Sequence, residues 1–279
     1  MKFQGPKIVP EERHFTPSVA TLEQLHDFEA SIGVQHVCIA HGLSYGPDCT
    51  SLLYYLEQLQ GRARGICVID EESVTDEQLN KYHAAGVRSV RLDFHRAKAM
   101  NDEDRQVELI EATAARLRGW DAQAKGWSIQ IQQPHLGHWK RLRQIASVLG
   151  VPLVVDHMSL VKGQSMAAEG QDAMVPVVDR SEWQELLGAL RDGNVWIKIS
   201  APYRNSRLEP SFEDLEEIVK QLVRANPKRF VWGSDWPHTQ RHEDRAGRDP
   251  KTTEPFLKVD NPSWIRSLGG WLSDKSGGK

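Results

Sequence analysis

Cysteine is scarce in this chain and has no metal-binding or redox spacing. Cys38, Cys49 and Cys67 are the three cysteines among 279 residues, and no CxxC pair occurs. An odd number of cysteines without paired spacing argues against a disulfide framework and against a thiolate metal site. Because Cys38 and Cys67 lie within apolar, strand-like runs, we expect both to be buried as small hydrophobic side chains.

Long apolar runs and blocks of like charge are also lacking. The apolar runs are strand-sized, far below the ~20 residues that a membrane span needs, and residues 1–14 contain no apolar signal core. The 35 basic and 38 acidic residues leave a net charge of −3 without a charged tail, which argues against nucleic acid or a membrane surface as partner. We therefore expect a cytoplasmic protein whose partner is a small molecule.

What the sequence does contain is a regular alternation of strand-like and helix-like segments. Short apolar runs predict strands, and apolar spacing near 3.6 residues predicts helices. The predicted strands cover residues 37–40, 64–70, 89–94, 127–132, 153–156, 195–200 and 230–234. The predicted helices cover residues 52–59, 75–85, 107–117, 137–149, 181–190, 212–225 and 264–272. Thr75 and Gln78 have the spacing of a capping box at the start of the second helix.

This alternation predicts an α/β fold, namely a (β/α)-barrel (TIM barrel) formed by one domain over residues 1–279. The glycine-rich phosphate loop of a nucleotide-binding sheet is absent after the first strand. Because seven units are recognised, we expect the barrel to be incomplete at its first strand, for which Lys7–Val9 is too short. Open strand edges beside Val37 and Phe230 would favour a homodimer, or coverage by residues 1–10.

Polar side chains cluster where the predicted strands end. The run Phe230–Ser234 leads into Asp235 and then His238, and Val151–Val155 leads towards His157. Barrel enzymes keep their catalytic groups at the carboxyl ends of the strands, so Asp235, His157 and His238 are the predicted catalytic residues. The predicted substrate-binding residues at other strand ends are His41, Ser44, Tyr45, Arg91, Asp93, Gln132, Tyr203 and Arg204. For any one of them the alternative is a hydrogen-bonded structural group, and Asp235 has the alternative of capping its turn.

Three motifs resemble a known family. They are Trp232-Gly233-Ser234-Asp235-Trp236-Pro237-His238, Val155-Asp156-His157-Met158 and Ser44-Tyr45-Gly46-Pro47-Asp48. Together they are similar to the amidohydrolase-related TIM-barrel hydrolases, and within these to the 2-pyrone-4,6-dicarboxylate lactonase-like proteins. The resemblance implies hydrolysis of a lactone by a water that Asp235 deprotonates, while His157 polarises the carbonyl and His238 orients Asp235 or the substrate.

The chain also departs from the family pattern. The His-x-His pair that members carry on their first strand is absent. Leu160 occupies the place of an arginine that binds a substrate carboxylate in the lactonase, and Gln132 occupies the place of a tyrosine. Arg91 and Arg204 do match, and the guanidinium group suits an anionic, carboxylate-bearing substrate. Salt bridges at the barrel rim are the alternative for both arginines.

We therefore predict a metal-independent hydrolase of a lactone or related cyclic carboxylic acid ester, with no cofactor. In one alternative, a metal-dependent decarboxylase or amidohydrolase would bind a divalent ion such as zinc. Its ligands would be His157, Asp235 and one of His41, His95 and His135. In the other alternative, the chain is a catalytically inactive binding relative.

Overall fold

The computed structural model describes residues 15–121, 125–166, 178, 180–241 and 243–273. They divide into two compact units. Unit 1 comprises the described residues within 1–131, 149–152 and 239–256, and unit 2 comprises those within 132–148, 153–238 and 257–279. The prediction of one domain over the whole chain stays a prediction.

Strands and helices alternate along the chain. The strands are β1 (Thr16–Pro17), β2 (Val37–Ala40), β3 (Ala63–Cys67), β4 (Val87–Arg91), β5 (Ser128–Ile131), β6 (Leu153–Val155), β7 (Val195–Ser200), β8 (Phe230–Gly233) and β9 (Thr253–Glu254). The helices are α1 (Leu22–Ile32), α2 (Thr50–Gln58), α3 (Asp76–Ala84), α4 (Glu103–Gly119), α5 (Trp139–Ala146), α6 (Ser181–Asp192), α7 (Glu216–Ala225) and α8 (Asn261–Ser273). The predicted alternation, with its seven strands β2 to β8, is confirmed.

Unit 1 contains a parallel sheet in which β2, β3, β4 and β5 are neighbours in chain order. A separate two-residue parallel pair joins β1 to β9. Helix α2 packs closely on β3: a Cβ added at Gly65 would lie 2.8 Å from a Leu56 methyl group and 3.1 Å from a Val87 methyl group. Glycine at position 65 therefore allows the helix to approach the sheet.

Unit 2 contains the parallel strands β6, β7 and β8, again in chain order. Val195, Ile197 and Ile199 are buried on one face of β7, and successive strand residues point to opposite faces. The other face carries Lys198 and Ser200, which brings polar groups to the carboxyl end of the strand. This alternation is what allows one strand to contribute to the core and to a polar site at once.

Several predicted boundaries differ from the structure. The helix predicted from residue 212 begins at Glu216, because Phe212 has a left-handed backbone (φ 54°) that a right-handed helix cannot include. Helix α1 was not predicted, although Thr21 and Gln24 form the same capping box that correctly marked α3. The expectation that Cys38 is buried was wrong: on the alternating strand β2 its side chain lies on the exposed face.

The expectations for the first strand, including Lys7–Val9 and the coverage by residues 1–10, lie outside the described residues. No helix in the described part of the chain is long and apolar enough to cross a membrane. The homodimer and the cytoplasmic location stay predictions.

Candidate active site

Asp235 stands in a tight turn that follows β8. Its backbone is left-handed (φ 63°), and so is that of His238 (φ 66°). The His238 N–H donates to the Asp235 carbonyl at 2.8 Å, and the Trp236 N–H donates to Ser234 Oγ at 3.0 Å. Left-handed backbone costs an ordinary L residue roughly 1–2 kcal/mol, but aspartate tolerates it better than most residues. The turn therefore fixes the backbone from which the Asp235 carboxylate projects.

The Asp235 carboxylate is held by groups from β7 and β6. Tyr203 Oη donates to Oδ2 at 2.6 Å and Arg204 Nε donates to the same oxygen at 2.9 Å. On the other oxygen, His157 Nε2 is 3.7 Å from Oδ1. Asp235 retains 24% side-chain exposure, whereas Arg204 retains 12% and His157 7%. Four predicted residues from the ends of three strands, β6, β7 and β8, are thus brought together.

The charges in this cluster are strongly coupled. Burial alone would raise the pKa of Asp235, but the charges of Arg204 and His157 and the two hydrogen bonds outweigh it and hold that pKa well below its usual range. Burial would lower the pKa of Arg204, yet the Asp235 charge raises it overall. Burial and the Asp235 charge both raise the pKa of Tyr203. At neutral pH the cluster therefore consists of a carboxylate, a guanidinium and a neutral phenol.

Tyr203 and Arg204 reach Asp235 from a 3₁₀ turn at the end of β7. Ala201 begins the turn with a left-handed backbone (φ 49°), and the Arg204 N–H donates back to the Ala201 carbonyl at 3.0 Å. The guanidinium carbon of Arg204 lies 4.9 Å from the centre of the Tyr203 ring, which is within cation-π range. The turn and this stacking orient both donors towards one carboxylate oxygen.

His157 opens an unusual left-handed segment after β6. Residues 157–160 all have φ between 53° and 57°, and such conformations persist only where the surroundings hold them. Asn205 Nδ2 donates to the His157 carbonyl at 2.8 Å. Ser159 Oγ donates to the Gln133 carbonyl and accepts from Trp139 Nε1 at 3.0 Å. These buried bonds fix the backbone at which the imidazole is presented.

The His157 ring is oriented by a buried serine. Ser200 Oγ lies 2.8 Å from His157 Nδ1, and Ser200 is only 2% exposed. The hydrogen bond at Nδ1 turns Nε2 towards Asp235. In a neutral ring the proton lies on Nε2 where Ser200 donates this bond, and on Nδ1 where His157 donates it. Ser200 is the last residue of β7, so the strand end itself presents the hydroxyl to the ring.

His238 is held by a residue that the sequence did not reveal. Asn261 Nδ2 is 2.9 Å from His238 Nε2, and the same amide nitrogen lies 3.3 Å from the Val259 carbonyl. Since an amide nitrogen can only donate, His238 Nε2 accepts. Burial lowers the pKa of His238 to about 4, although the nearby Asp235 charge opposes this. His238 is thus neutral at physiological pH, and its ring contacts Tyr203 edge-on at a centroid distance of 5.9 Å.

In unit 1, a second group of predicted residues follows β2 and β4. His41 and Tyr45 have ring centroids 5.6 Å apart, and Ser44 Oγ donates to the Phe15 carbonyl at 3.3 Å. Burial lowers the pKa of His41 to about 4, with a smaller contribution from the charge of Arg91. Within the described ranges, His41 Nε2 is buried and has no hydrogen-bond partner. His41 therefore has a buried ring nitrogen whose hydrogen-bonding capacity is not used by the described residues.

Two further predicted residues have less specific surroundings. The Asp93 carboxylate accepts the Arg96 N–H at 3.0 Å, and the Asp93 carbonyl accepts the Ala97 N–H at 3.0 Å, which are the bonds of a capped turn. Gln132 is half-buried just after β5. Their substrate-binding roles stay predictions, as do the roles of all the other predicted site residues.

The surroundings of Asp235 do not fit the metal-dependent alternative. A divalent ion on this carboxylate would stand beside the guanidinium of Arg204, which already lies 2.9 Å from Oδ2, and like charges at such separations repel strongly. Among the residues that the structure describes, no group of three or more His, Cys, Asp or Glu side chains is placed to hold a metal ion. The absence of a cofactor stays a prediction.

The chain is similar in sequence to curated hydrolases. The chain is 29% identical to a 2-pyrone-4,6-dicarboxylate hydrolase of Comamonas testosteroni over 237 residues, which cover 81% of this chain and 70% of the relative. It is 27% identical to a 4-sulfomuconolactone hydrolase of Hydrogenophaga intermedia over 267 residues, which cover 91% of this chain and 81% of the relative. These curated relatives are named as hydrolases, in agreement with the predicted enzyme class.

A solved structure shows the same fold. It is a probable 2-pyrone-4,6-dicarboxylic acid hydrolase of Acinetobacter baumannii with citric acid bound, 21% identical, with a TM-score of 0.68 over 95% of this chain and 87% of that chain. This similarity confirms the predicted (β/α)-barrel fold class. The sequence profile of the amidohydrolase family matches residues 8–255, and the chain therefore belongs to the amidohydrolase family.

Proposed function

We propose that the protein hydrolyses a lactone or a related cyclic ester of a carboxylic acid, using a water molecule that Asp235 activates. The observation that carries this proposal is the ionised Asp235 carboxylate, held by Tyr203 and Arg204 beside His157, in a chain whose curated relatives include lactone hydrolases. A carboxylate beside hydrogen-bond donors supplies a general base together with groups that stabilise an oxyanion.

The ion pair with Arg204 determines when Asp235 can act as a base. In the free protein the low pKa of Asp235 makes it a weak proton acceptor. A substrate carboxylate that binds Arg204 competes for the guanidinium and weakens its pairing with Asp235. The pKa of Asp235 then rises, so the base becomes stronger once an anionic substrate is bound. On this proposal, an anionic substrate is the kind that activates the base.

The hydrolysis then proceeds in two steps. Asp235 takes a proton from water while the hydroxide forms a bond to the carbonyl carbon of the lactone. His157 stabilises the oxyanion that develops through the proton on its Nε2, while its Nδ1 stays hydrogen-bonded to Ser200 and Tyr203 keeps its hydrogen bond to Asp235. The ring C–O bond breaks as the tetrahedral intermediate collapses, and protonated Asp235 returns its proton to the leaving oxygen. One lactone and one water yield one hydroxy acid.

His41 supports a second element of substrate recognition. Its Nε2 is buried and has no hydrogen-bond partner in the described part of the chain, the lowered pKa keeps the ring neutral, and a buried polar atom gains from a hydrogen-bond partner. We assign His41 to a hydroxyl or other donor of the substrate, next to Tyr45. Arg91 is assigned to a carboxylate on the basis of its match to the family pattern.

The test is a hydrolysis assay with a panel of lactones that do or do not carry a carboxylate. Each turnover creates one carboxylic acid, which a pH indicator detects in a weak buffer. We expect turnover of carboxylated lactones, and a decrease of ~10²–10⁴ in kcat for Asp235→Asn, as for loss of a general base. Arg204→Lys should raise KM for carboxylated lactones more than for uncharged ones.

Asp70→Asn is the matched control for Asp235→Asn. Asp70 also follows a strand, β3, but it is exposed and its carboxylate accepts the Glu72 N–H of a turn at 3.1 Å. This variant should keep wild-type turnover. Equal activity of wild type and Asp235→Asn on a hydrolysed lactone would refute the role of Asp235. No turnover of any lactone by a folded wild type would favour an inactive binding relative.

A further inference from the structure

A buried ion pair lies next to His157 and has no part in the reaction proposed above. Lys198 Nζ is 3.0 Å from Asp156 Oδ1, and the two side chains retain 18% and 3% exposure, respectively. Asp156 immediately precedes His157 in the chain, and Lys198 lies two residues before Ser200 on the same face of β7. The ion pair is therefore linked in the chain to both residues whose hydrogen bond orients the imidazole.

The ion pair lies where the backbone pairing of two strands stops. The last paired position of β6 and β7 is Val155 opposite Ile197. In the same register the next position places Asp156 opposite Lys198, and there the side chains make the contact. One residue further, the backbone of His157 is left-handed (φ 54°) and the chain leaves the strand direction. The ion pair thus extends the attachment of β6 to β7 by one residue.

Two successive residues after β6 are held by two alternate residues of β7. Lys198 binds Asp156, and Ser200 Oγ lies 2.8 Å from His157 Nδ1. The first contact fixes the backbone from which the imidazole projects, and the second fixes the ring. Stability alone does not account for the first contact, since apolar replacement of a buried ion pair is often neutral or stabilising. Because His157 Nε2 is 3.7 Å from Asp235 Oδ1, a shift of this backbone would change how the ring meets the carboxylate.

We propose that Lys198 is a positioning residue for His157, which acts through Asp156 and holds the imidazole in place beside Asp235. The effect on turnover rests on the proposed lactone hydrolysis, whereas the effect on the ring does not. A misplacement of about 1 Å can lower a rate ~10²-fold. Since the misplaced ring would stabilise the transition state less without changing substrate binding, kcat and kcat/KM should fall by the same factor.

The first test observes the His157 ring by nuclear magnetic resonance and needs no substrate. The histidine rings are labelled with nitrogen-15, and His157→Gln identifies the His157 signals by their loss. We expect Lys198→Met to move the His157 Nδ1 signal in the same direction as Ser200→Ala, which removes the hydroxyl bonded to that nitrogen. Lys198→Arg keeps a cation that can reach Asp156 and should leave the signal near its wild-type position.

The second test measures kcat and KM on a lactone that the wild type hydrolyses. Lys198→Met should lower kcat ~10²-fold at an unchanged KM, and Lys198→Arg should retain most of the activity. Arg143→Met is the matched control, because it also removes the cation of an ion pair in unit 2. Arg143 Nε lies 2.6 Å from Asp192 Oδ2 and joins α5 to α6. This variant should keep the wild-type kcat.

A double variant separates the loss of position from the loss of charge. Lys198→Met leaves the buried Asp156 carboxylate without this cation, whereas Asp156→Leu combined with Lys198→Met removes both charges and keeps similar volumes. The double variant also supplies the result if Lys198→Met alone does not fold. We expect it to show a displaced His157 signal and the same loss of kcat, because the contact is absent from it too. Wild-type signals and wild-type kcat in the double variant would refute the proposal.

The outcomes distinguish this proposal from the proposed function. If a folded wild type hydrolyses no lactone, the proposed function fails, and the resonance test still decides whether Lys198 positions the ring. An unchanged His157 signal in Lys198→Met would overturn the proposal at any level of turnover. The His238 ring, which Asn261 holds, is the internal control: equal displacement of its signals would mean a general loss of structure and would also overturn the proposal. A displaced His157 signal with wild-type kcat would refute the role of this positioning in hydrolysis.

Discussion

The ion pair between Arg204 and Asp235 can be tested by a double-mutant cycle on stability. Arg204→Met removes the guanidinium and keeps a long apolar side chain, and Asp235→Asn removes the charge and keeps the shape. The asparagine can still accept a hydrogen bond from Tyr203. Each single variant leaves one partly buried charge without its opposite, whereas the double variant leaves neither.

The distances and exposures in the structure set the expected magnitude. Opposite unit charges 2.9 Å apart attract by about 6 kcal/mol at an effective dielectric constant of ~20. Asp235 retains 24% exposure, so water screens part of this attraction. We expect each single variant to lower the free energy of unfolding by about 3 kcal/mol, at the lower end for a broken buried pair. The double variant should lose about 2 kcal/mol less than the sum of the two.

Urea denaturation followed by far-ultraviolet circular dichroism and by tryptophan fluorescence measures these free energies. Coincident transitions from the two probes are required before a two-state analysis, because the chain has two compact units. Asp70→Asn, which alters only an exposed turn, should stay within about 0.5 kcal/mol of wild type. If the loss in free energy of unfolding of the double variant equals the sum of the two single losses to within about 0.5 kcal/mol, the two charges are not coupled and our account of Asp235 is wrong.

Three further predictions concern pH, packing and metal. The pKa of His238 is lowered to about 4 from an ordinary value near 6.5. The neutral ring therefore contributes about 3 kcal/mol to the free energy of unfolding above pH ~6.5, and this contribution should be lost as pH falls towards 4. The free energy of unfolding measured across this range should depend less on pH in His238→Gln. Gly163→Ala places a Cβ 2.4 Å from Asp214 Oδ2 and should cost about 2 kcal/mol in urea denaturation, whereas Gly137→Ala, with nothing within 4 Å, should be nearly neutral. Lactone turnover should survive dialysis against a chelator, and loss that zinc restores would contradict the metal-independent prediction.

The alternation of elements was readable from local pattern, because each strand or helix buries its own apolar face. Strand β7 has the predicted bounds, Val195 to Ser200, and α3 begins at its predicted capping box. Thr21 and Gln24 have the same capping-box spacing, so the start of α1 was also open to prediction from the sequence. The predicted helix boundaries were wrong where the backbone conformation is incompatible with a helix, as at the left-handed Phe212 before α7.

The sequence predicted which residues belong to the candidate site, but not which of them contact each other. The sequence placed Asp235 and His157 at strand ends, and the parallel topology explains why strand-end groups can meet. It contained no signal that Arg204 and Tyr203 would both bind Oδ2 of Asp235. That pairing depends on a turn that starts at the left-handed Ala201, and turn geometry of this kind follows from tertiary packing.

By itself, the sequence determined the fold class and the set of groups able to do chemistry, since apolar periodicity and the order of elements are local properties. The tertiary structure alone decided which of those groups touch and what charge they carry. Asn261 illustrates the difference: it lies at the start of α8, yet its amide fixes the acceptor role of His238 Nε2. A pKa or a tautomer depends on distances between residues remote in the chain, and those distances exist only once the chain has folded.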